Sequence, residues 1–169
     1  PTFIDYNDDG LQDILIGSTN ANVRNGDTTD LVFQLQLYEN IGSLEDPEFK
    51  LVDDDYLNAS TLFPPLQAAA PVAADMDGDG DDDLLIGQID GKVRYFENAA
   101  GPGQKAAYIQ ITNALKDNLN QTIDVGNIPS PAVFDLDGEN DLDLFIGNDF
   151  GVVAYYANTG SVSSASFTA

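Results

Sequence analysis

The chain of 169 residues has no histidine, no cysteine and no tryptophan, and carries 6 lysines and arginines against 29 aspartates and glutamates. Each absence excludes a chemistry. Without His and Cys, neither a Ser-His-Asp nor a Cys-His nucleophile can be assembled, and zinc and copper sites lose their usual nitrogen and sulfur ligands. Without Cys, no disulfide staples the fold. A formal charge of −23 offers no counter-charge to phosphates, so nucleic acid and anionic membrane surfaces are poor partners. No apolar run reaches the length of a membrane span, and no signal peptide is visible. The first residue is Pro1 rather than Met, which suggests a processed or partial chain. No Gly-rich phosphate loop or dinucleotide fingerprint is present. Disorder does not follow from the charge, because 43% of the residues are hydrophobic and fall in alternating runs.

What is present is an acidic turn, used three times. Residues 75–87, DMDGDGDDDLLIG, place Asp75, Asp77, Asp79 and Asp83 at positions one, three, five and nine, with Gly80 at six. Alternate side chains of a tight turn converge, the peptide carbonyl of Asp81 at position seven completes the near side, and the result is the all-oxygen shell that Ca²⁺ prefers. Residues 5–17 repeat the register with Asp5, Asn7, Asp9, the Leu11 carbonyl and Asp13; residues 135–147 repeat it with Asp135, Asp137, Glu139, the Asp141 carbonyl and Asp143. Position six is Gly10 and Gly80 in two loops and Asn140 in the third, and Asn is the non-glycine residue that most readily enters the left-handed region. Like charges 4 Å apart repel by roughly 4 kcal/mol per pair at an effective dielectric near 20, so without an ion each turn should splay. An EF-hand would need Glu at position twelve and flanking helices. Position twelve is Ile16, Ile86 and Ile146, and the flanks are short and β-rich, so the sequence predicts a calcium-binding hairpin.

The first residues of the loops are 70 and then 60 residues apart, and an insertion at 18–30 accounts for the longer first repeat. Its polar composition and the Asn25-Gly26 pair read as an exposed loop with a tight turn. Each repeat yields four strands: 2–4, 71–74 and 131–134 before the acidic turn; 13–17, 83–87 and 143–147 after it, apolar enough for burial on both faces; then 31–39, 92–97 and 152–157; then 49–52, 108–112 and 166–169. No helix is required. Tyr38, Phe96 and Tyr156 recur before an Asn-to-Gly turn and read as filling between sheets.

These features, a proline, a short strand, DxDxDGxxD, an apolar pair with Ile-Gly and an aromatic strand ending in Asn, resemble the FG-GAP/VCBS repeat over nearly the whole chain. That resemblance implies an all-β fold of three four-stranded antiparallel β-propeller-type blades, as a partial propeller or open array. The expected organisation is blade 1 at 1–52 with the insertion 18–30, a linker at 53–70, blade 2 at 71–112, a linker at 113–130, and blade 3 at 131–169. The linkers align as D-x-L-N-x-S/T, which marks Asn58 and Asn120 as N-glycosylation acceptors.

The expected function is a non-enzymatic, extracellular or cell-surface structural or adhesive module holding about three calcium ions, which would bring −23 to −17. Its expected partners are other copies of the chain or further blades, with possible glycans, because three blades fall short of the four to eight that close a ring. A fibre or surface-layer subunit is one form of this. A lectin-like propeller and an integrin-like fragment binding a protein ligand are the alternatives. A two-carboxylate glycosidase is disfavoured, since the acids stand at metal-ligand spacing. Arg94 and Lys92 read as ion-pair residues.

Overall fold

The computed structural model describes the backbone of residues 1–24, 27–62 and 69–169, and the side chains of these except 19–33 and Ala69. The chain forms three four-stranded antiparallel sheets, each a meander in sequence order. The first holds β1 (Thr2–Ile4), β2 (Asp13–Arg24), β3 (Asp27–Asn40) and β4 (Phe49–Asp53). The second holds β5 (Ala69–Ala74), β6 (Asp83–Gln88), β7 (Val93–Asn98) and β8 (Tyr108–Thr112). The third holds β9 (Ser130–Phe134), β10 (Asp143–Gly147), β11 (Val153–Asn158) and β12 (Phe167–Thr168). Every acidic turn joins the first strand of a blade to the second. The first strands β1, β5 and β9 lie side by side, so the turns share one side of the array.

Directly paired residues share a face of an antiparallel sheet, and register therefore says what each blade buries. Leu84 pairs with Phe96 and Ala73, which puts them on one face of blade 2; Leu85 pairs with Tyr95 and Val72 on the other. Between blades 1 and 2, Ile4, Leu15, Leu35 and Leu37 meet Leu84, Ile86 and Phe96. Between blades 2 and 3, Met76, Leu85 and Val93 meet Leu144, Ile146 and Phe167. β6 is buried along its whole length, as its apolar run predicts for the middle of three layers. Gly87 allows this packing, since an added Cβ would run into the Pro129 carbonyl oxygen at the entry to β9. Gly87→Ala should therefore destabilise by about 1–3 kcal/mol, the usual cost of overpacking. Gly147→Ala, where the nearest atom is Ser130 O at 3.9 Å, should be near neutral in denaturant unfolding. Equal losses at the two positions would disprove the close approach.

Two expectations need correction. The insertion 18–30 is not a loop: outside residues 25 and 26, β2 and β3 stay paired from Ile14–Tyr38 out to Arg24–Asp27, with one irregularity at Asn22/Val23. Thr and Val recur through the segment, and these β-branched residues suit an extended ladder despite its polarity. The tight turn expected at Asn25-Gly26 lies outside the described residues. Nor is the chain free of helix, because the linker 53–70 carries a 3₁₀ turn at Tyr56–Asn58 and a short α1 at Ala59–Leu62. Ala59 is fully buried under blade 1, so this turn plugs the first core.

Candidate metal-binding turns

Each turn is built by carboxylates accepting from the backbone that follows them. At position one, Asp5, Asp75 and Asp135 accept from the amides of Gly10, Gly80 and Asn140 at 2.8, 3.1 and 3.1 Å. At position three, Asn7, Asp77 and Asp137 accept from the amides two residues on, each at 3.2 Å. Such side-chain-to-backbone bonds are why Asp and Asn favour turns. Position six is left-handed in all three loops, with φ of 85° at Gly10, 97° at Gly80 and 66° at Asn140, as the spacing predicts.

Position four is left-handed as well. Gly78 and Gly138 occupy it in two loops, while Asp8 holds it at φ 56° in the first. Sequence reading missed this requirement, although the glycines at 78 and 138 signalled it. Asp8→Gly should raise stability by about 0.5 kcal/mol, since glycine reaches this region without the Cβ penalty. Chemical denaturation checks it, and a loss of stability would refute the strain.

The ninth position does the most. Asp13, Asp83 and Asp143 are each 0% exposed. One oxygen of each accepts from the amide after position one: Tyr6 at 3.2 Å, Met76 at 3.0 Å and Leu136 at 3.1 Å. The other accepts at 2.7 Å from the amide of Asn40, Asn98 or Asn158, at the end of the blade's third strand. That asparagine then clasps the outer hairpin: Asn98 Oδ1 accepts from Ala100 and Ala107, Asn40 Oδ1 from Gly42 and Glu48, and Asn158 Oδ1 from Gly160 and Ser166. Tyr95 and Tyr155 add hydroxyl donors to Asp83 and Asp143. In blade 1 the equivalent residue is Leu37, so Asp13 lacks this third donor.

The second turn gathers its acids most closely. Asp75, Asp77 and Asp83 each place a carboxylate oxygen within 4.8 Å of the others, the one such trio among the described residues, and these three are able to hold a metal ion. The remaining predicted ligands, Asp5, Asn7, Asp9 and Asp13 in the first turn and Asp135, Asp137, Glu139 and Asp143 in the third, share the register without so tight a trio. In the first turn the Asn7 amide nitrogen donates to Asp9 at 2.9 Å. Asp79 accepts from the Asp81 amide. Burial pushes the Asp83 carboxyl up to about 6, against the bonds from Asn98, Tyr95 and Met76. Asp81 is also pushed up to about 6, by burial first and then by the charge of Asp79. Burial raises Asp13, Asp77 and Asp141 too. Asp141 is 7% exposed, and its buried Oδ1 has no hydrogen-bond partner. The donor set is entirely hard oxygen, held in want of positive charge, which fits a cation of the calcium class.

The two sequon asparagines occupy matching turns. Asn58 and Asn120 are exposed, have φ of 52° and 62°, and donate their amides to the carbonyls of Asp55 and Asp117. Lys92 forms an ion pair with Asp90 at 2.8 Å, and Arg94 donates to the Asn113 side chain at 2.9 Å. A cavity of about 320 Å³ between blades 2 and 3 is floored by Met76, Leu85 and Phe167. Its aromatics are committed elsewhere, as Tyr95 binds Asp83 and Phe167 is 4% exposed.

Two overlapping stretches, residues 5–86 and 75–146, match the family described as FG-GAP-like repeat. No curated protein and no solved structure matches the chain.

Proposed function

We propose, for a chain that belongs to the FG-GAP-like repeat family, a role as a non-enzymatic extracellular module whose hairpins are clipped by calcium and whose work is structural or adhesive. The observation that carries this reading is the convergence of Asp75, Asp77 and Asp83 on one point at the blade corner. Asp79 and the Asp81 carbonyl stand ready to complete that shell. The equivalent sets are Asp5, Asn7, Asp9, the Leu11 carbonyl and Asp13, and Asp135, Asp137, Glu139, the Asp141 carbonyl and Asp143. Three ions follow from three turns. Millimolar calcium outside cells fills weak sites of this kind, which supports an extracellular or surface location. A catalytic role has little support: the buried Asp13, Asp83 and Asp143 are spent on backbone amides, and the chain has no histidine or cysteine. In a glycosylating host, Asn58 and Asn120 carry glycans at their exposed turns.

Calorimetric titration tests the calcium reading. Binding is expected to saturate near three calcium ions per chain, with magnesium much weaker, because Mg²⁺ demands a stricter octahedron and sheds water reluctantly. Heat indistinguishable from dilution at millimolar calcium would refute it.

A further inference from the structure

The three blades are built from the same sockets, and among the described residues two of the six faces lack the cover that the other four have. On the face that each blade turns toward its predecessor, blade 2 presents Ala73, Leu84, Ile86 and Phe96, and blade 3 presents Val133, Leu144, Ile146 and Tyr156. Leu84, Ile86, Leu144 and Ile146 are each 0% exposed. Blade 1 has Phe3, Ile14, Ile16 and Tyr38 at these positions. Phe3 is 61% exposed, and the other three are half-buried.

The opposite face repeats the pattern. Blade 1 buries Ile4, Leu15, Leu35 and Leu37 against blade 2, and blade 2 turns Ala74, Leu85, Val93 and Tyr95 toward blade 3. The equivalents in blade 3 are Phe134, Phe145, Val153 and Tyr155. Phe134 is 62% exposed, Val153 67% and Tyr155 38%. The rings of Phe145 and Tyr155 stack at 4.9 Å, making a continuous apolar surface.

We propose that the outer face of blade 3 docks on the outer face of blade 1 in a second copy of this chain, reproducing between molecules the packing found twice within one. The occupant follows from continuity with that packing. Each open face offers the residue types, at the same positions, that the internal interfaces bury, and the two open faces are the two opposite halves of one interface. The contact is head to tail, so a second copy can meet both ends at once. If the rotation between copies closes, this contact builds a ring, and if it does not, the same contact builds a filament. The inference stands on the apolar faces and is independent of which ion the turns hold.

Analytical ultracentrifugation of residues 1–169 with millimolar calcium, over tens to hundreds of micromolar protein, tests it. A dimer or longer species is expected. Phe3→Asp and Val153→Asp change exposed side chains at opposite ends, so each should keep the wild-type melting temperature at dilutions where the chain is monomeric yet weaken self-association by about tenfold or more. Because the contact is head to tail, mixing the two variants leaves one intact pair of faces, and a heterodimer should reappear. A monomeric wild-type chain across the whole range would overturn the proposal and leave the faces to further blades or another partner. Association that survives either single substitution would overturn it equally, by showing a contact elsewhere. A calcium titration without heat would count against the metal reading alone and leave these outcomes to be read as they stand.

Discussion

Asp83→Ala is expected to lower the unfolding free energy by about 3–5 kcal/mol even in chelator, with a further loss in calcium as its ion is given up. The side chain is fully buried and accepts from the Met76 and Asn98 amides and the Tyr95 hydroxyl. A buried donor left unsatisfied costs about 1–3 kcal/mol, and removing the carboxylate strands three at once. Relief of the charge's own desolvation, visible in its raised pKa, keeps the total below the sum. The discriminating control is Asp75→Ala. Asp75 lies in the same turn but accepts from the exposed amides of Gly78 and Gly80, which water can satisfy when it is removed. Its loss should cost about 1 kcal/mol or less in chelator and more only with calcium. If the two variants are equally mild in chelator, the ninth-position aspartate is a ligand and not a structural latch.

Calcium should also reverse the dependence of stability on pH. Asp81 and Asp83 titrate near 6 in the folded chain, against an ordinary value of 3.8. Between those values the folded chain binds more protons than the unfolded one, so stability falls as pH rises through the window. In chelator, the melting temperature should drop on going from about pH 5 to about pH 7. With the ion present the carboxylates are held charged, and stability should rise over the same range as protons cease to compete. At about pH 7 and ten times the dissociation constant, each ion contributes roughly 1.4 kcal/mol. Three ions then separate the calcium and chelator melting curves by roughly 8–16 °C for a domain of this size. Parallel pH profiles with and without calcium would show that these two acids do not feel the ion.

Much of this was legible from residue spacing, because the decisive interactions are local. The nine-position register marked each turn, and the left-handed conformation of Asn140 followed from its place in it. Strand boundaries at Asp13, Asp83 and Asp143 came from the same register. What escaped was set by context. Nothing local distinguishes Asp83, which the blade swallows, from Asp79, which stays at the surface; the difference is made by the amide of Asn98, 15 residues away. The polar segment 18–30 read as a loop because a paired two-stranded ribbon need not show apolar alternation. Ala59 was invisible as a core residue, since a single alanine among Asn and Ser carries no periodic signal. Which residues lie on the open faces of blades 1 and 3 was equally hidden, as Ile14 and Leu84 look alike until their neighbours are known.

The first sheet carries one further consequence. Beyond Ser18 and Gln34 the ladder of β2 and β3 continues with no third strand on either side among the described residues, since β1 ends its pairing at Leu15 and β4 at Leu37. Two strands alone are marginal in water. This arm should therefore be the earliest part to take up deuterium, while the amides of β6 are among the last. A protease should trim it and leave three intact blades behind. It is also the natural seam for a grafted peptide, because its ladder pairs with no other described strand.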